Sequence, residues 1–218
     1  MARSFVRYGM ESVFYLAGLH RPPGCAAFAR LGYGFTESGA LRAPTPEGEI
    51  LVLDDRALPS EEGLRNAASL FSSVPGLLLC DFERPPQDGL IRLLKQLPPE
   101  RLIVPPSYEA LPHRAVVLPP YRAAQPFLEW LAEQRRRYGS IVLDLQPFLP
   151  GEPLQPPDGH FSEALCCHYR AVLKDGTPSF QFFDTLQSYR QRLALAQAPC
   201  IALQPEYDRL QSREQASS

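Results

Sequence analysis

A recurring rhythm of short, continuously apolar runs constrains this chain more than any other feature. The runs fall at residues 13–19, 31–35, 50–53, 77–82, 102–104, 115–118, 141–145 and 200–203. Each is too short to make a helix of ordinary length. Several lack the polar–apolar alternation of a strand with one wet face, as expected for parallel strands covered on both sides. Helical patterns lie between many of them. Ser60 is placed to cap a helix with Glu61 and Glu62 in its first turn and Leu64, Ala67, Ala68 and Phe71 on one face. Asp88 is read as the cap of a helix over 89–97 with Leu90, Leu93, Leu94 and Leu97 inward, and Pro126 opens one that runs to Tyr138. Asp184-Thr185-Leu186-Gln187 has the form of a capping box, ahead of Leu186, Tyr189, Leu193 and Ala196 at helical spacing.

Eight such runs with interleaved helices predict an α/β protein, a small and partly degenerate (β/α)8 TIM barrel whose working residues sit at the strand C-termini. At 218 residues the chain is short for that fold, and residues 105–114 leave room only for a turn or a stub of helix. The rhythm breaks after the seventh run. Residues 164–173, Lys174-Asp175-Gly176-Thr177 and 179–183 read as a β-hairpin on an Asp-Gly turn. The expected organisation is one domain over 1–210 with an insertion at 151–183 and a polar tail at 211–218. Pairs among the 24 prolines, such as Pro85-Pro86, Pro105-Pro106 and Pro119-Pro120, mark strand exits. A doubly wound sheet is the alternative. Its phosphate loop is missing, because Gly32-Tyr33-Gly34 lacks the third glycine and the helix.

Charge narrows the function classes. A net charge of −2 offers no electrostatic footprint for nucleic acid. The one basic cluster, Arg135-Arg136-Arg137, falls at a helix end where it complements the dipole. No apolar stretch has the length of a membrane span or the form of a secretory leader, so a cytoplasmic protein is expected. Five cysteines without a CxxC fit a reducing compartment, with Cys80 and Cys200 as core residues. Cys166-Cys167-His168 is a poor metal fragment, since adjacent cysteines rarely ligate one ion with relaxed geometry, and no metal or cofactor is expected. The four histidines show no triad spacing.

The chemistry concentrates where the fourth run ends, in Gly76-Leu77-Leu78-Leu79-Cys80-Asp81-Phe82-Glu83-Arg84-Pro85-Pro86. A period of two puts Asp81 and Glu83 on one side and Phe82 on the other. Two carboxylates at the end of a buried strand are costly unless solvated, paired or used. They can serve as an acid and its partner, or simply as ion-pair partners of Arg84 or Arg56. Asp54 and Asp55 end the third run at the same rim, where they can hold a ligand hydroxyl or stay solvated in a turn. Tyr33, Gln146, Gln204 and Glu206 are rim residues by position.

Two regions resemble family-18 glycoside hydrolases, the chitinase-like barrels, especially their compact bacterial spore and peptidoglycan-associated members. Residues 76–83 look like the strand-four signature Asp-Gly-x-Asp-x-Asp-x-Glu. Residues 140–207 look like the strand-seven segment, its small α+β insertion and the following helix and strand; Phe182-Phe183-Asp184 and the 188–196 stretch are the nearest matches. The chain departs from the pattern elsewhere. Gly76 and Leu79 replace the first two aspartates, strand six offers at most Tyr121, and Leu203 or Gln204 stands where a tryptophan floors the sugar site. The only tryptophan, Trp130, falls on a helix as a packing residue. The resemblance implies hydrolysis of β-linked N-acetylated glycans, chitin-type or peptidoglycan fragments, by substrate-assisted catalysis. Glu83 would be general acid/base, Asp81 its partner and orienter of the N-acetyl group, and Tyr121 a donor to the N-acetyl carbonyl. A catalytically inactive glycan-binding or scaffold protein on the same barrel is the alternative.

Overall fold

In a computed structural model of the protein, residues 13–146 and 159–216 are described. The elements run β1 (Phe14–Gly18), β2 (Phe28–Phe35), β3 (Leu41–Arg42), β4 (Ile50–Asp54), α1 (Glu61–Ser73), β5 (Leu77–Asp81), α2 (Asp88–Leu94), β6 (Leu102–Val104) and β7 (Ala115–Leu118). Then follow α3 (Phe127–Tyr138), β8 (Ile141–Asp144), β9 (His160–Ser162), β10 (Cys167–Lys174), β11 (Thr177–Phe183), α4 (Leu186–Ala196), β12 (Cys200–Leu203) and α5 (Gln204–Ala216).

Strands β1, β2, β4, β5, β6, β7, β8 and β12 pair side by side in parallel, and β1 bonds to both β12 and β2. The sheet therefore closes into an eight-stranded barrel, and β3 adds to β2 as a short antiparallel ninth strand. Closure leaves no free edge among the eight. One apolar layer fills the interior, including Ala17, Ala29, Val52, Leu79, Ile103, Ala115, Val142 and Ile201. Small residues on β1, β2 and β7 face larger ones on the other strands, so the side chains interdigitate instead of leaving a pore. A second, larger core lies between the outer face of the barrel and the helices, with Phe71, Leu93 and Leu131 among the residues buried in it.

Among the described residues, helices follow five of the eight barrel strands, and the barrel is degenerate where connections are short. Residues 105–114 hold only a 3-10 turn at Pro106–Tyr108. No helix joins β1 to β2 or β2 to β4. Ser60 caps α1 by accepting from the Gly63 amide at 3.0 Å. The α2 cap is Gln87 without a side-chain bond; Asp88 is the first helical residue, where its charge still favours the N-terminus. The α4 capping box is made by Thr185 and Ser188, one residue later than the sequence pattern placed it. In that geometry the hydroxyl of Ser188 also accepts from the Thr185 amide.

The hairpin forms as β10 and β11 around Asp175 and Gly176, both with positive φ of 52° and 78°. That is the backbone an Asp-Gly turn of the primed type requires. Strand β9 widens it to three strands. Residues 147–158, which include Pro147 and the start of the expected insertion, lie outside the described residues. No described helix is long and apolar enough to cross a membrane.

Candidate active site at the barrel mouth

All eight barrel strands point the same way, so their C-terminal ends form one mouth. Inward positions are set by the period of two. Val52 and Leu79 fill the interior, so Asp54 and Asp81, two residues on, project into the mouth side by side in register. By the same count Val142 places Asp144 inward on β8. The tops of three strands thus converge as carboxylates.

An open cavity of about 740 Å³ sits over the mouth. Asp54, Asp81, Arg42, Arg56 and Glu206 supply its charged lining, and Leu19, Leu31, Pro44, Leu203 and Pro205 its apolar walls. Arg42 clamps Asp54, donating from Nη2 at 2.7 Å while its Nε donates to the Gly32 carbonyl at 3.0 Å. The clamp exists because position 34 is glycine. A Cβ there would stand 2.6 Å from Asp54 Oδ1 and 2.9 Å from Arg42 Nη2. Glu206 is paired with Arg209 on α5.

The electrostatics set Asp81 and Asp144 apart. Burial raises the Asp81 pKa, the Glu83, Asp54 and Asp55 charges add to that, and Arg56 opposes it. By accessible surface the residue is nonetheless exposed, lining the open cavity. Asp144 is pushed up to about 7, chiefly by burial and then by Asp81, while a bond from Gln146 Nε2 at 2.8 Å and the charge of Arg122 work the other way. A carboxyl that holds a proton near neutrality is the raw material of general acid catalysis.

The remaining expected residues are distributed as follows. Glu83 stands two residues past the end of β5, solvent-exposed, its charge felt at Asp81 but its side chain outside the cavity lining. Asp55 is buried and turned to the backbone, accepting from the amides of Glu83 at 2.9 Å and Arg84 at 3.0 Å. It holds the loop that carries Glu83 and presents nothing to a ligand. Arg84 bonds the Arg56 carbonyl and makes no ion pair with Asp81 or Glu83 among the described residues. Gln146 serves Asp144, and Gln204 packs with its Oε1 against the Gly18 backbone instead of lining the cavity.

Two expected residues are not at the mouth. Tyr33 is fully buried outside the barrel against Phe71, with ring centroids 5.7 Å apart. A bulge explains it: the β2–β4 register shifts between Arg30 and Tyr33, where Gly32 takes a φ of +105°. One extra residue exchanges inward for outward positions. Tyr121 lies in the outer core, packed on Phe127 and Trp130, and its hydroxyl donates to the Gln125 carbonyl at 2.6 Å. It therefore cannot serve the mouth as a donor, and Trp130 is the packing residue expected of it.

Sequence reasoning passed over Asp144 and Arg42. Asp144 carried a usable signal, since it ends an apolar run as Asp54 and Asp81 do. Arg42 carried none, because its position depends on β3 folding back on β2. No family model matches this sequence, and neither the characterised proteins nor the solved structures include one that matches it.

Proposed function

We propose that the protein is a glycoside hydrolase acting on β-linked N-acetylated glycans, with the barrel mouth as its sugar site. The observation that carries the reading is the position of Asp81. It ends the fourth barrel strand, opens onto the cavity and has a raised pKa with Glu83 beside it. Substrate-assisted cleavage needs one proton donor and one carboxyl that orients the N-acetyl group, and no protein nucleophile.

In this reading Glu83, at the rim, protonates the glycosidic oxygen. The bond from that oxygen to the anomeric carbon breaks as the substrate's own carbonyl oxygen attacks that carbon. Asp81 holds the amide in position, and water then opens the cyclic intermediate, returning its proton to Glu83.

The test is product release from a β-1,4-linked N-acetylglucosamine tetramer, followed by mass spectrometry. The native protein is expected to shorten the oligomer, with Glu83→Gln and Asp81→Asn each slower by roughly 100-fold or more. Full activity in both variants would reject the assignment. Saccharide binding with no turnover in any form supports the second reading, a non-catalytic glycan-binding barrel. Exclusion of the Glu83 side chain from the cavity lining favours that second reading.

A further inference from the structure

The cavity lining carries charges of both signs. Asp81 ends β5, and Arg42 on β3 and Arg56 just past the neighbouring strand β4 line the same cavity, Arg56 close enough to act on the Asp81 charge. Most of the charge is already balanced. Asp54 is neutralised by Arg42 at 2.7 Å, and Glu206 by Arg209. That leaves Asp81 and Arg56 as the lining charges without an ion-pair partner among the described residues.

Arg56 is an exposed side chain carried on a backbone that is fixed beside Asp54. Its amide is fixed to Asp54 Oδ1 at 3.2 Å and its carbonyl accepts from Arg84 Nη2 at 2.6 Å, so the backbone that bears it is held at both ends. The guanidinium is left with its full set of donors in a planar fork suited to a carboxylate. Arg42 is immobilised by two bonds to neighbouring groups and also lines the cavity. A neutral chitin-type oligomer would use neither guanidinium as a charge.

We infer that the mouth selects a glycan bearing a carboxylate, an N-acetylated saccharide whose acidic group docks on Arg56 while its neutral N-acetyl and hydroxyl groups face Asp81. This rests on the glycan reading of the mouth and narrows its substrate class. The acidic group can be a lactyl ether on the amino sugar or the carboxylate of a neighbouring uronic acid. Both present the same anion to the same fork.

The test is calorimetric binding to the full chain, independent of turnover. Three pairs of probes distinguish the sources: the N-acetylglucosamine–N-acetylmuramic acid disaccharide and its methyl ester, an N-acetylglucosamine–glucuronic acid disaccharide and its methyl ester, and neutral N-acetylglucosamine dimer against tetramer. The expected result is a preference of roughly ten-fold for at least one free acid over its ester, the scale of one charge-assisted hydrogen-bonded contact. Arg56→Met should bring that ratio close to one, and Arg56→Lys should keep part of it. Raising salt should shrink the preference in the native protein.

Equal binding of acid and ester, or a ratio that survives Arg56→Met, would overturn the inference and show Arg56 to be only a counter-charge for Asp81. Failure of every saccharide to bind would overturn it together with the glycan reading. Binding with the acid preference but no hydrolysis would uphold this inference and reject the enzyme alone.

Discussion

Replacing Asp144 by asparagine should change how stability depends on pH, and the sign follows from the structure. In the folded protein the carboxyl is pushed from its ordinary 3.8 to about 7 by burial and by Asp81. Asp81, Gln146 and Arg122 act on it at the mouth, and it lies close enough to Tyr189 on α4 to affect that phenol. Between these two pH values the folded state holds a proton that the unfolded chain has released. Stability contributed by the neutral carboxyl is therefore complete below about pH 4 and is lost as pH rises through 7. A displacement of that size corresponds to roughly 4 kcal/mol as a ceiling, at about 1.4 kcal/mol per pH unit. The substituted amide cannot ionise, and its oxygen can still accept from Gln146. Urea denaturation at pH 4, 6 and 8 measures the difference. Asp144→Asn should match the native protein at pH 4 and exceed it progressively up to pH 8. Parallel pH profiles, or a variant that falls behind as pH rises, would refute the burial argument.

Other perturbations follow from the same structure. Asp55→Ala removes the acceptor for two backbone amides, so it should cost about 1–3 kcal/mol in urea unfolding. In the glycosidase reading it should also lower kcat by releasing the Glu83 loop; unchanged stability would mean the loop is held by other contacts. Gly34→Ala drives a methyl group into the Arg42–Asp54 clamp and should cost about 1–3 kcal/mol. Adding Arg42→Ala should recover part of that loss, and a strictly additive double variant would contradict the steric account. Asp184→Asn leaves the Arg192 guanidinium buried without its carboxylate at the base of the hairpin, for a loss of about 3–5 kcal/mol. A melting temperature within a degree of the native value would show that Arg192 is compensated elsewhere.

The barrel was legible because its strands are covered on both faces. All eight barrel strands overlap the apolar runs, and β6, β7 and β12 match theirs to the residue. The hairpin was legible for a different reason, since Asp175-Gly176 is a local conformational demand that needs no long-range information. The start of β2 was missed because Arg30 breaks the apolar run, although Phe28, Ala29 and Arg30 are all buried. The bulge at Gly32 was invisible for the same kind of reason: whether a glycine in a strand shifts the register is decided by its neighbours across the sheet. That single event moved Tyr33 from the rim to the core. Tyr121 failed as a site residue because Pro119-Pro120 ends β7 and the chain then turns toward α3. The carboxylates at strand ends, by contrast, obey the period of two, and Asp54, Asp81 and Asp144 follow from counting alone. Side-chain pairing across strands, such as Arg42 with Asp54, lies beyond any count along the chain.

Occupancy of the barrel mouth by a sugar is the central claim. A crystal structure of the Glu83→Gln variant soaked with an N-acetylglucosamine oligomer, and separately with the N-acetylmuramic acid disaccharide, addresses this directly. The predicted result is a sugar ring in the cavity with its N-acetyl group against Asp81, and in the second crystal a carboxylate against Arg56. A mouth that stays empty while saccharide binds elsewhere, for example on the exposed Phe180 and Leu173 of the hairpin, would contradict it.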